Sequence, residues 1–335
     1  MEKNIIILIL IIFVLIILYN CSCSNLVQIP LLNNIKVDVV YTWVNGNDPL
    51  WKERKNKITG PPKGDSIFRY NSVDELKYSL RSVYKYAPWV NIIYIVVDDV
   101  QKPSFVNEDN PKIKIIKHSD IIPKEYLPTF NSVAIETCLH HIPGLQENFL
   151  YFNDDVFLGN NVSIDDLYNK CYYRNVKYTD LVPQDGEWMC NLKTDYLLLR
   201  NEYPDTKFIV PWHMAHFCKK SLMYELEEMF PENYTHTISQ KLRKQRSDII
   251  CKSICLPCMQ YNLGVVKGIY KMIPDKKSDS MGVELGDKDT SDAVKRLDLI
   301  NKNKYKFFCI NNSIHNDILS QFLEQYFPEK CPYEK

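Results

Sequence analysis

Apolar residues are distributed along this chain in three ways, and each predicts a different kind of element. The first is an unbroken run from Ile5 to Leu18, closed by Tyr19-Asn20. It has no polar face, which does not suit a helix of a globular core. It is also short for a bilayer core of about 30 Å, which asks for about 20 helical residues. Two readings stay open. It is the apolar region of a signal peptide cut near Cys21-Ser22-Cys23-Ser24, or a retained anchor that spans a membrane once, with Tyr19 at the interface. Either would deliver the rest of the chain to a secretory lumen. Residues 1–24 are read as this leader and 25–36 as a linker.

The second pattern is a series of short β-branched and aromatic runs stopped by turn residues. Val37–Val44 halts at Asn45-Gly46-Asn47-Asp48-Pro49, and Asn91–Val97 ends in Asp98-Asp99. Lys112–Lys117 follows, and Asn148–Phe152 runs into Asn153-Asp154-Asp155. Each reads as a buried strand. The third pattern is helical spacing. Leu76, Leu80, Val83 and Tyr84 follow a capping box at Ser72-Val73-Asp74-Glu75, and Asn131–His141 carries Val133, Ile135 and Leu139. Strands alternating with helices predict an α/β fold with a mostly parallel, Rossmann-like sheet covered on both faces. Ligands of such sheets sit beyond the carboxyl ends of the strands, where Asn45, Asp48, Asp98, Asp154 and Asp155 should gather.

From about Tyr168 the patterns loosen. Ser221–Phe230 predicts a helix, Lys306–Ile310 a strand and Ile318–Tyr326 a closing helix. Two parts are therefore expected within 37–330, a regularly patterned half at 37–167 and a looser, Cys-containing half at 168–330.

Composition narrows the class. Of 335 residues 45% are hydrophobic and 24% charged, which excludes wholesale disorder. Lys plus Arg is 41 against 41 for Asp plus Glu, so no cationic surplus is present to hold a nucleic acid. Eleven cysteines suit an oxidising lumen, as do the sequons at Asn161, Asn233 and Asn311. The cluster Cys251, Cys255 and Cys258 could hold zinc but shows no fourth ligand nearby, so disulfides are the expectation.

The chemistry-bearing residues are few. Asp154 and Asp155, adjacent at a strand end, repel one another unless a cation compensates, and they suit Mg²⁺ or Mn²⁺; the rival reading is a plain turn. Glu136 sits on the preceding helix, where a solvated face is the alternative. His213, in Trp212-His213-Met214-Ala215-His216, is a base or metal ligand on one reading and structural on the other. Arg243 is a guanidinium clamp for phosphate or part of a solvated basic face, and Arg69 and Arg81 are further phosphate candidates. Arg81 could equally pair with a neighbour on its helix.

Together these residues resemble the Stealth family of sugar-phosphate transferases. Val37–Pro49 is similar to the family's opening region. Asp74–Ser82, Lys85–Trp89, His118–Pro123, Leu127–Ser132 and Ala134–Phe157 are similar to its second. His213–His216 with Glu225–Glu232 and Arg243 is similar to the third, and Phe307–Asn311 with Gln325–Pro328 to the fourth. The resemblance departs at Ala215, where relatives often carry proline, and matches loosely around Asp248. It implies a glycosyltransferase-A-like, nucleotide-sugar-binding fold, with Glu136, Asp155, His213 and Arg243 catalytic. It further implies that Asp154 and Asp155 hold Mg²⁺ or Mn²⁺ and that Trp43, Asn45, Gly46 and Asp48 hold the nucleotide. The donor would be UDP-N-acetylglucosamine, the acceptor a hydroxyl of a glycan or glycoprotein, and the product UMP. An ordinary glycosyltransferase would release UDP, and a carbohydrate-binding module would show no turnover. Golgi residence with a lumenal catalytic domain, or export after cleavage of the leader, is a further implication.

Overall fold

The carboxyl edge of one sheet organises the molecule. The computed structural model describes residues 35–60, 70, 72–168, 170–174, 187–202, 204, 210–243, 271–274, 280–286, 290–313 and 316–335. The leader, Arg69, Asp248 and the cluster at Cys251, Cys255 and Cys258 lie outside them. Strands are β1 Val37–Thr42, β2 Ile93–Val97, β3 Ile113–Lys117, β4 Asn148–Asn153, β5 Val156–Leu158 and β6 Lys170–Arg174. They continue with β7 Val210–Pro211, β8 His216–Lys219, β9 Lys271–Pro274, β10 Ser280–Gly286 and β11 Phe307–Ser313. Helices are α1 Pro49–Thr59, α2 Glu75–Tyr86, α3 His118–Ile121, α4 Ser132–Thr137 and α5 Ile164–Leu167. The rest are α6 Glu187–Glu202, α7 Lys220–Met229, α8 Pro231–Ser239, α9 Thr290–Asn303 and α10 Asn316–Tyr326.

The central sheet has the order β3-β2-β1-β4-β8. The first four strands run parallel, and β8 is antiparallel to β4. The fold is thus α/β with a mostly parallel sheet. β2 is buried at all five positions, as a strand covered on both faces must be. Register aligns the strand ends: Thr42 lies beside both Val96 and Asn153, and Val97 beside Lys117. Trp43, Asp98, His118 and Asp154 each follow one of these ends. Because Tyr151 pairs with His216 on the antiparallel strand, the chain before His216 also emerges at this edge. Residues Val37–Lys335 form one compact unit.

Two three-stranded sheets flank it, in the orders β10-β11-β5 and β7-β6-β9. β5 follows Asp155 directly and pairs antiparallel with β11, Val156 opposite Cys309. Phe157, Phe308 and Phe327 stack beneath this sheet, with centroids 5.0 Å and 6.2 Å apart.

Several local expectations change. The N-cap of α2 is Asp74 in the left-handed region (φ 63) and carries no side-chain cap, while Ser72 donates to the Glu75 carboxylate at 2.6 Å. The pair therefore bond one another ahead of the helix rather than closing it. The helix expected over Asn131–His141 stops at Thr137, where Cys138 (φ −101, ψ 4) turns the chain into a 3₁₀ turn at Leu139–His141. The helix α1 was legible but overlooked: Asp48 caps it by accepting from Trp51 N at 2.9 Å, and Pro49 opens its first turn. Cys138 and Cys331 are buried free thiols, whereas the cluster for which disulfides were expected lies outside the described residues. Among the described residues no helix is long and apolar enough to cross a membrane.

Candidate active site

A cavity of about 330 Å³ opens at the carboxyl edge of the central sheet. Thr42, Trp43 and Val44 reach it from the end of β1, Asp98 from β2, His118 from β3, and Asn153, Asp154 and Asp155 from β4. Three distant segments close it. His213 arrives through the β4–β8 pairing. Arg243 arrives because Phe130 N donates to Lys241 O at 2.8 Å and Lys241 Nζ to Leu127 O at 2.8 Å, which lashes 240–242 to the segment before α4. Asn311 arrives on β11, whose Ile310 N donates to Asp155 O at 3.1 Å. The chain thus brings Asp154, Asp155, His213, Arg243 and Trp43 to one cavity.

Charge in this cavity is unbalanced towards the negative. Asp98 is paired to Arg54, yet its Oδ2 is buried with no hydrogen-bond partner. Desolvation, then the neighbouring Asp155 and Glu75 carboxylates, push Asp154 well above the usual carboxylate range. Among the described residues, Arg243 is the one arginine or lysine that lines the cavity. A hard divalent cation fits such a carboxylate pair, because it removes the repulsion and takes oxygen ligands. Asp155, His213 and Cys309 also offer donor atoms within 4.8 Å of one another. Burial lowers the His118 pKa to about 4, so its ring is neutral at physiological pH. Its Nδ1 and the Trp43 Nε1 are both buried without a partner. Trp43, Asp98 and His118 thus carry unpaired polar atoms just behind the cavity surface, an unusual cost for buried groups.

His213 is oriented from both sides. Its Nε2 lies 3.1 Å from Asn153 Oδ1, and its Nδ1 lies 3.6 Å from the Cys309 thiol. Glu136 is buried and is not among the residues that line the cavity; it lies behind Thr42 and Tyr151. Tyr151 donates to Glu136 Oε1 at 3.1 Å, and the Tyr151 and Thr42 hydroxyls are 2.6 Å apart. With the Tyr151 proton given to Glu136, Thr42 must donate to Tyr151, which leaves its oxygen only the role of acceptor towards other groups.

The remaining expectations are corrected. Arg81 is buried in a fork on Glu334, at 2.8 Å and 2.9 Å, and its third nitrogen donates to Phe327 O at 2.6 Å. Its donors are spent on the C-terminal segment, and it does not line the cavity. Asn45, Gly46 and Asp48 build the cavity wall without lining it. The Asn45 backbone is held by the Gln101 side chain, and Asp48 caps α1, which presents Trp51 to the cavity. A Cβ on Gly46 would lie 2.1 Å from Tyr70 O, so only glycine allows this approach. Sequence reasoning gave no site role to Thr42, Cys309 or His118, of which Thr42 and His118 line the cavity and Cys309 contacts His213. The signal for His118 was its position directly after a strand, the same signal that singled out Asp98 and Asp154.

Comparison with known proteins agrees with this assembly. Family models described as Stealth protein conserved regions 1, 2, 3 and 4 match residues 36–60, 69–176, 212–250 and 298–335. An exopolysaccharide phosphotransferase of Streptomyces coelicolor is 33% identical over 94% of this chain and 58% of its own length. The chain spans between 33% and 58% of four such Streptomyces relatives. A capsular polysaccharide phosphotransferase of Streptococcus pneumoniae is 32% identical over 91% of this chain and 100% of its own length. Among solved structures, a galactosyltransferase, LgtC, bound to donor and acceptor sugar analogues is similar with a TM-score of 0.41 and 8% identity. That match covers 87% of this chain and 94% of the galactosyltransferase. The four matched regions are the segments that converge on the cavity, and with a relative aligned along its whole length they show that this chain belongs to the Stealth family.

Proposed function

We propose that the chain transfers a sugar 1-phosphate from a nucleoside-diphosphate sugar, UDP-N-acetylglucosamine, to a hydroxyl of an acceptor glycan. The acceptor oxygen bonds to the β-phosphorus, the bond from that phosphorus to the bridging oxygen breaks, and UMP leaves with that oxygen. The acceptor proton passes to a base on the enzyme. The observation that carries this reading is the convergence of Asp155, His213 and Arg243, remote in sequence, on one acidic cavity. The names of the bacterial relatives support phosphotransfer to or within a polysaccharide.

Each role follows from position. Phosphoryl transfer asks mainly for alignment and for neutralisation of charge spread over the phosphate oxygens. Arg243 would take non-bridging oxygens in a fork, a geometry a lysine cannot offer. Asp154 and Asp155 would hold Mg²⁺ or Mn²⁺, which supplies further positive charge against the diphosphate. His213 would take the acceptor proton, with Asn153 and Cys309 fixing its ring. Thr42, whose own proton goes to Tyr151, would accept a hydrogen bond from a second hydroxyl of the acceptor sugar, with Tyr151 and Glu136 holding it in that orientation. Trp43 and His118, which line the cavity, would pack against the donor. The relatives cited are bacterial, so the Golgi placement implied by the sequence forms no part of this proposal.

The test incubates the purified chain with UDP-N-acetylglucosamine, Mg²⁺ or Mn²⁺ and a panel of glycan acceptors, and identifies the nucleotide released. UMP with a phosphodiester product is expected. UDP would assign an ordinary glycosyltransferase instead, and no nucleotide release across donors and acceptors would end the enzymatic reading.

A further inference from the structure

A second cluster of chemistry-bearing side chains lies apart from the catalytic cavity. The 3₁₀ turn after α4 ends in His140 and His141, and both rings point at one carboxylate oxygen of α7. His140 Nε2 lies 2.7 Å and His141 Nε2 3.1 Å from Glu227 Oε2. The Tyr234 hydroxyl of α8 stands 3.2 Å from the same His141 nitrogen. The two imidazole nitrogens and the carboxylate oxygen all lie within 4.8 Å of one another.

Packing fixes the donors in place. The two rings are 4.1 Å apart, and Tyr224 meets His140 edge-on at 4.6 Å and His141 at 5.5 Å. His140 is fully buried, and its Nδ1 has no hydrogen-bond partner, so Nε2 is the end by which that ring is held. His141 and Glu227 are half-buried and, with Tyr234, line a cavity of about 590 Å³. Asp120 and Glu125 also line this cavity, and among the described residues no Lys or Arg does.

We propose that His140, His141 and Glu227 bind one Zn²⁺, with the fourth position open to a water or a small anionic ligand from the adjoining cavity. Two imidazoles and one carboxylate are a donor set of intermediate softness, which suits zinc better than Mg²⁺ or Ca²⁺. Tetrahedral ligands at about 2.0–2.1 Å from zinc sit about 3.3 Å apart. The two ring-to-carboxylate separations, 2.7 Å and 3.1 Å, are already close to that spacing, and the half-exposed Glu227 and His141 can adjust to complete it. The site joins the turn that follows Glu136 to α7 and α8, so zinc would brace the helix that carries Glu136 without touching the substrate. It differs from the cation expected at Asp154 and Asp155 in its ligands, its place and its metal.

The experiment strips the purified full-length chain with a chelator, then titrates Zn²⁺ in buffer containing Mg²⁺ and counts bound zinc per chain by atomic emission. The parent for all variants carries His213→Ala and Cys309→Ser, which removes the other described donor cluster. One equivalent of zinc is expected to remain in that parent, and a Co²⁺-loaded form should show the visible absorption of a tetrahedral site. Glu227→Gln and His141→Asn should each weaken zinc by at least about 100-fold, beyond the roughly 10–100-fold that loss of an outer partner costs. Circular dichroism of the zinc-free forms checks folding. His141→Asn, at a half-exposed position, keeps the test valid if Glu227→Gln does not fold. No zinc in the parent, or zinc indifferent to either substitution, would overturn the proposal.

Discussion

Two clusters of histidine and carboxylate sit on opposite terms with their surroundings. At the carboxyl edge of the sheet, Asp98, Asp154 and Asp155 crowd together with Arg243 as the lining cation, and buried polar atoms of Trp43, Asp98 and His118 have no partner. At His140, His141 and Glu227 the carboxylate oxygen already faces two ring nitrogens. The first arrangement is costly until a charged ligand arrives, whereas the second is close to satisfied and would take a metal by exchanging protons for it. Unmet charge marks the place built for a substrate; matched donors mark a place built to hold still.

The comparison breaks most readily through catalysis. His213→Ala and Asp155→Asn are each expected to lower transfer by about 10²–10⁴-fold, the range for loss of a general base or a charge-stabilising group. His141→Asn should cost far less. Initial rates of nucleotide release decide this, and equal losses at both clusters would erase the distinction drawn here.

A buried arginine supplies the next contrast. Arg81→Ala should destabilise the fold by about 3–5 kcal/mol, because it strands the buried Glu334 carboxylate. Arg243→Ala should slow transfer while moving the urea midpoint little. A kinetic defect in Arg81→Ala with unchanged stability would return Arg81 to the phosphate candidates.

The relay behind Thr42 is a smaller effect. Glu136→Gln and Tyr151→Phe should each reduce turnover by roughly 10–100-fold, the value of about 1.5–3 kcal/mol for a hydrogen bond to a charged group. A double mutant no worse than either single change would show that the two act as one unit. Full additivity would separate them.

The smallest effect is a stability slope. Asp154 titrates above its unfolded value, so between the ordinary carboxylate range and its raised pKa the folded state holds more protons than the unfolded one. Stability of the metal-free protein therefore falls as pH rises through that window. His118 and His140, both lowered to about 4, oppose this, since acidification from 6.5 towards 4 protonates them more readily in the unfolded chain. The difference between wild type and Asp154→Asn isolates the carboxylate. The substitution should gain stability on the alkaline side, and Mg²⁺ should narrow the gap. Melting temperatures against pH, with and without chelator, measure it.

Legibility in the sequence followed the reach of the interactions. β1, β2 and β4 could be read from runs such as Ile93–Val97 because a strand buried on both faces has to be largely apolar, and β3, at the end of the strand order with Lys114 and Lys117 exposed, from its β-branched Ile113, Ile115 and Ile116. The gathering of Asp98, Asp154 and Asp155 followed from parallel strands sharing one edge. The helices α8 and α9 were passed over because their apolar positions are sparse, and α6 because its residues mix polar and apolar positions. For Arg81 and Arg243 the local sequence made the wrong one the equal candidate. A guanidinium on a helix next to family-like residues does not reveal that Glu334, more than 250 positions on, will occupy it.

What the amino-acid order settled alone was short-range: strand ends carrying carboxylates, the cap at Asp48, the glycine at Gly46, and the residue types that phosphate chemistry needs. Tertiary structure decided which of those groups meet. It placed Glu136 behind Tyr151, set Cys309 against His213, spent Arg81 on Glu334, and drew His140 and His141 to Glu227. Such outcomes depend on the register of paired strands and on donors that only the folded chain brings within hydrogen-bonding distance, and neither is written in the spacing of residues along the chain.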